Sequence, residues 1–104
     1  MKYILEYNKH IIQQGRFRIG DIIYPIVERK YLIENRKYKV VKIRYRNEYF
    51  IRIWDCKERM YVAIHPIFSN NYKDYLTDDI EKAGWAREEY FATQLELDAM
   101  KYNL

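Results

Sequence analysis

"KYKVVKIRYRNEYFIRIWDC" spans residues 37–56, and its reading decides the fold. Lys and Arg alternate with aliphatic and aromatic residues at a period of two. That is the signature of strands with one apolar and one polar face. Continued through "MYVAIHPIF" at residues 60–68, the pattern predicts three antiparallel strands. Val41, Ile43 and Tyr45 share a face on the first, Tyr49, Ile51 and Ile53 on the second, and Met60, Val62 and Ile64 on the third. Directly opposed residues point to the same side of a sheet. This parity demands a tight loop at Arg46-Asn47-Glu48, with Tyr45 opposite Tyr49 and Asn47 in the left-handed conformation. It also demands a turn at Lys57-Glu58, with Cys56 opposite Arg59. On the other face three rows follow: Arg44, Phe50 and His65; Lys42, Arg52 and Ala63; Val40, Trp54 and Tyr61. Ile43, Ile51, Ile53, Val62 and Ile64 are the expected inner face.

Upstream, "GRFRIGDIIYPIV" at residues 15–27 holds a Gly20-Asp21 turn and a β-branched pair, Ile22-Ile23. Pro25 places the following stretch at an edge or in a bent loop. "YIL" and "HII" in the first dozen residues read as short strands or one irregular arm. Downstream the period changes. "TDDIEKAGWAREEYFATQLELDAMKY" at residues 77–102 places Ile80, Ala83, Gly84, Phe91, Leu95 and Ala99 near one helical stripe. Asp78 with Glu81 forms a candidate capping box and Asp79 suits the positive helix start. The expectation is one helix over about 77–102, with Gly84 marking close packing or a kink.

The stretch "FRIGDIIYPIVERKYLIENRKYKVVKIRYRNEYFIRIWD", residues 17–55, resembles the SH3-like barrels. The "GD" turn before a strand, "LIENRKYKVVKI" and the trailing aliphatic strands carry the resemblance. It implies a small, strongly bent antiparallel β-sheet or SH3-like barrel, here with a C-terminal α-helix, an α+β fold. The Lys, Ile, Tyr and Asn usage also resembles small proteins of low-GC Gram-positive bacteria and their phages. That likeness implies an interaction protein of phage or mobile-element type, one that inhibits or modulates a host machine such as a defence system.

The 104 residues suit one domain with one core. Charge divides it. Residues 1–76 hold 16 Lys+Arg against 8 Asp+Glu, and residues 77–104 hold 3 against 7, so a body of +8 precedes a tail of −4. Either the acidic tail covers the basic body or each faces its own partner. Twelve tyrosines against four phenylalanines supply rings that lie half-buried at edges and interfaces. A lone cysteine, Cys56, allows no internal disulfide and suits a reducing cytoplasm. The start lacks the apolar region of a signal peptide, and no apolar run nears the roughly 18 residues of a membrane span.

Catalytic signatures are missing. His10, His65 and Cys56 have no zinc-ligand spacing, and neither a phosphate loop nor a nucleophile elbow is written in the chain. Cys56 and His65 fall three rows apart, which disfavours a nucleophile pair. No metal or cofactor is implied, and an enzyme with an unrecognised site is the least favoured class. Binding is the expectation. The candidate sheet face comprises Lys42, Arg44, Phe50, Arg52, Trp54, Tyr61 and His65; a second candidate, on the expected helix, comprises Trp85, Tyr90, Met100 and Tyr102, with Leu97 between. Lys42 and Arg52 repel across the sheet, so a carboxylate of the acidic segment (Glu81, Glu88 or Glu89) or an external anion must offset them. The partners in view are a host protein or nucleoprotein complex with an acidic surface, nucleic acid held by cations and stacked rings, or a second copy of the chain.

Overall fold

A computed structural model describes residues 15–64 and 74–102. The expected N-terminal strands and His65 lie outside the described residues. The chain forms β1 (Ile22–Pro25), β2 (Tyr38–Arg46), β3 (Glu48–Asp55), β4 (Met60–Ala63), β5 (Tyr75–Thr77), β6 (Ala86–Arg87), β7 (Phe91–Ala92) and one described α-helix, α1 (Gln94–Tyr102). The strands run β5-β4-β3-β2-β1-β7, all antiparallel, and β6 adds to β3 beyond the point where β4 leaves it. The result is a strongly curled half-barrel with a C-terminal helix, an α+β fold compatible with the SH3-like class.

The predicted hairpin register holds at its tip. Tyr45 pairs with Tyr49, Ile43 with Ile51 and Lys42 with Arg52, and Asn47 has a φ of 60°. Trp54 pairs with Tyr61 as expected, although the connection runs from Asp55 to Met60 and is longer than the expected turn. Asp55 organises that connection. Its side chain accepts from the Lys57 and Glu58 amides at 2.9 and 3.1 Å, and its carbonyl from the Arg59 amide at 2.8 Å. Arg36 pairs with the same buried carboxylate at 3.0 Å.

One correction concerns Val40. The register shifts between Val40 and Lys42, a β-bulge that strict alternation did not include. Val40 therefore pairs with Ile53 on the inner face, both fully buried, and Lys39 takes its expected place beside Trp54. The extra residue lets β2 bend while its two halves keep their apolar side chains inward. Phe17, Ile23, Leu32, Tyr38, Ile51, Val62, Ile64, Ala86 and Phe91 complete the core, with Ile43 and Tyr90 packed at its margin. Tyr38 is buried without an unmet group, donating to the Tyr31 carbonyl at 2.6 Å and accepting from the Ile33 amide at 3.0 Å.

The second correction is larger. Residues 77–93 are not helical: they form β5's last residue, two short 3-10 turns, β6 and β7. Sheet pairing outcompeted the helical spacing, because Ala86 is needed opposite Ile51 and Phe91 opposite Pro25. The helix begins instead at a capping box formed by Thr93 with Glu96. Thr93 Oγ1 accepts from the Glu96 amide at 3.1 Å while Glu96 Oε1 accepts from the Thr93 amide at 2.9 Å. Asp79 does cap, but it caps the 3-10 turn Ile80–Lys82, accepting from the Glu81 amide at 2.9 Å. Leu95, expected on the buried stripe, is 76% exposed.

Arginine–carboxylate pairs hold the periphery. Arg29 binds Asp74 through two nitrogens at 2.8 and 2.9 Å, joining the loop after β1 to the start of β5. Arg16 reaches Glu96 at 2.6 Å and the carbonyls of Glu88 and Phe91 at 3.1 Å each. Glu88 and Glu96 of the acidic segment thus meet Arg16 of the basic body.

Candidate functional site

The outer face of the sheet collects the cations of the opening stretch. Lys42 lies across from Arg52 and Arg44 across from Phe50, while β6 brings Arg87 beside Phe50. Lys39 stands opposite Trp54, and Trp54 opposite Tyr61, their rings meeting edge to face with centroids 4.8 Å apart. Six predicted residues therefore share one face: Lys42, Arg44, Phe50, Arg52, Trp54 and Tyr61. His65 lies outside the described residues.

The expected helix face does not exist as a unit. Trp85 precedes β6, and the alternation of that strand turns it onto the same outer face as Arg87. There its ring takes the Arg44 and Arg52 guanidiniums, 4.4 and 4.3 Å from the centroid. Tyr90 packs against the core, and Met100 is half-buried on α1, separated from both by the break in the helix. Tyr102 falls where no side chain is described.

Glu81 offsets part of the predicted repulsion. Its carboxylate reaches Lys42 Nζ at 3.4 Å and Arg52 at 3.5 Å, and its carbonyl accepts from Arg52 at 3.5 Å. These contacts are long, and the Glu81 side chain is 69% exposed, while that of Arg52 is largely buried. Exposed pairs of this kind contribute about 0–1 kcal/mol. Of the other two acids anticipated there, Glu89 pairs with Arg87 at 3.2 Å, alongside Glu48 at 3.0 Å. Glu88 turns inward, accepting from the Arg16 and Phe17 amides at 3.2 and 3.4 Å. Burial pushes the Glu88 carboxyl above its ordinary range, against the pull of those two amides and of the Arg16 charge.

Among the described residues Arg44 has no carboxylate partner. Its guanidinium stands 4.4 Å from the Trp85 ring centroid and 5.9 Å from that of Phe50, and its Nε is buried without a hydrogen-bond partner among the described residues, as is that of Arg52. Lys39, Lys42, Arg44, Arg46, Arg52 and Arg87 thus face Glu48, Glu81 and Glu89, an excess of positive charge built into the sheet. Alternation alone found Lys42, Arg44 and Arg52. Lys39 was hidden by the bulge, and Trp85 and Glu81 by the helical spacing around them. The one legible hint was Gly84, a poor helix residue directly before Trp85.

Cys56 is half-buried, its sulfur 4.0 Å from the Trp54 carbonyl, and it borders a shallow groove of about 490 Å³ with Ile33, Asn35, Lys37 and Lys57. Among the described residues no group of three His, Cys, Asp or Glu side chains is placed to hold a metal, and no helix is long and apolar enough to cross a membrane. No protein-family model, curated protein or solved structure matches the chain.

Proposed function

We propose that this chain is a small non-enzymatic binding protein whose outer sheet face receives an acidic surface of a partner protein. In the setting its composition suggests, that partner is a host protein whose activity the bound chain modulates. The observation that carries the reading is the uneven neutralisation of the face. Among the described residues one exposed carboxylate, Glu81, is shared by Lys42 and Arg52, while Arg44 has none. A partner carboxylate can replace Glu81 at small cost, because exposed ion pairs contribute only about 0–1 kcal/mol. Arg44 and Arg52 are already ordered on Trp85, so less side-chain entropy is lost when they bind. A protein partner is favoured over nucleic acid because base stacking needs free aromatic faces. Here Trp85 is engaged by two guanidiniums and Trp54 by Tyr61.

The test is a titration against a glutamate-rich peptide and a single-stranded oligonucleotide of equal charge. The peptide is expected to bind, and reversing Lys39 and Arg44 together to Glu is expected to weaken it by about tenfold or more. Unchanged affinity in that double variant would remove the outer face from the function. Tighter oligonucleotide binding with a steep salt dependence would assign the face to nucleic acid.

A further inference from the structure

We infer that Arg44, Arg52 and Trp85 form a receptor for a dianionic phosphoryl group carried by a phosphorylated segment of the partner. This rests on the reading of the outer face as the partner's surface and names the chemistry it selects. Two guanidiniums stand against one indole ring, at 4.4 and 4.3 Å, so two like charges can be no farther apart than the sum of those distances. Lys42 lies directly across the ladder from Arg52. Against these three cations the described residues set Glu81 alone, an excess of two positive charges in the described cluster. A phosphate monoester carries about −1.5 to −2 at neutral pH, close to that excess, where a carboxylate supplies a single negative charge.

Hydrogen bonding points the same way. The Arg44 guanidinium donates to no described residue, and the contacts of Arg52 to Glu81 are both at 3.5 Å, the weak end of the range. Planar forks held in orientation by a ring are suited to the oxygens of a tetrahedral oxyanion. Trp85 supplies the orientation and Gly84 the close backbone packing that delivers Trp85 to the face.

The experiment follows the indole N–H signals of Trp54 and Trp85 by NMR in the intact protein, titrated with phenyl phosphate and, in parallel, benzoate. The solution is held above the second phosphate pKa of about 6. Phenyl phosphate is expected to shift the Trp85 signal saturably and to bind about tenfold tighter than benzoate. Arg44→Lys, which keeps the charge but loses the planar fork, is expected to lose about tenfold of that affinity. Glu81→Gln is expected to tighten it. Equal binding of the two probes, or an Arg44→Lys variant that binds as wild type, overturns the phosphoryl receptor. A wild-type protein that binds the glutamate-rich peptide without preferring its phosphoserine counterpart overturns this inference alone and leaves the acidic-partner reading standing. Failure to bind either peptide or phenyl phosphate overturns both. An oligonucleotide that binds more tightly than the phosphopeptide overturns the inference in favour of nucleic acid.

Discussion

Gly84 lies against the backbone of Ile64 so closely that a Cβ at position 84 would stand 2.0 Å from the Ile64 carbonyl oxygen and 2.5 Å from its nitrogen. The obstacle is backbone, so no side-chain rotation relieves it. Gly84→Ala must push the segment before β6 away from Ile64, the residue that follows β4, and disturb the delivery of Trp85. The expected cost is at least about 1–3 kcal/mol, the range for overpacking. Were this segment helical, the same change would stabilise it by roughly 1 kcal/mol. Denaturant melts of the one variant separate the two signs.

The bulge in β2 gives a paired test at adjacent positions. Val40 is fully buried against Ile53, whereas Val41 is half-exposed. Val40→Ala is expected to cost about 2 kcal/mol and Val41→Ala clearly less, in proportion to the apolar area each loses. Strict alternation requires the reverse order. Equal or reversed losses in urea unfolding would show that the register runs through without a bulge.

Arg52 is engaged twice, by Glu81 and by Trp85. Arg52→Gln removes both contacts and also relieves its repulsion with Lys42. The expected net effect is a loss of about 1 kcal/mol, since a desolvated cation–π contact outweighs an exposed ion pair. A thermal melt checks it. A gain in stability would mean that like-charge repulsion dominates the face in the free protein.

Glu88 sets a pH dependence of definite sign. Its carboxyl is raised in the folded state by burial, so the native protein holds that proton more tightly than the unfolded chain. The contribution is fully present below the unfolded value of about 4.3 and is lost as pH rises through the folded value. Glu88→Gln keeps an acceptor for the Arg16 and Phe17 amides and removes the titration. Relative to wild type, the variant is expected to gain stability as pH rises from about 4 toward neutrality. Unfolding curves at a series of pH values measure the difference. A variant that falls progressively behind wild type over that span would show that the Arg16 charge, not burial, governs Glu88.

Much of the molecule was legible in residues 37–64. Alternation at a period of two is a local consequence of strand geometry, so the hairpin tip, the opposition of Lys42 and Arg52 and the pairing of Trp54 with Tyr61 followed from counting. Asn47 announced its turn because few residues tolerate a positive φ.

What the tertiary structure alone decided is the path of residues 77–93 and, with it, the character of the outer face. Ile80, Ala83, Gly84 and Phe91 carry a helical spacing, but Phe91 pairs with Pro25 of β1, a strand brought near by the curl of the sheet, and the Ala83 amide closes a 3-10 turn on the Ile80 carbonyl. Ala86 is opposite Ile51 because β4 leaves that part of β3 open, and no local property of "GWAREEYF" encodes the opening. The same long-range pairing carries Glu81 to Lys42 and Trp85 to Arg44 and Arg52. Sequence determined which cations share a face, since that depends on neighbouring residues along a strand. Which groups meet those cations depends on residues about 30 to 40 positions away, whose approach is set by packing and sheet completion rather than by propensity.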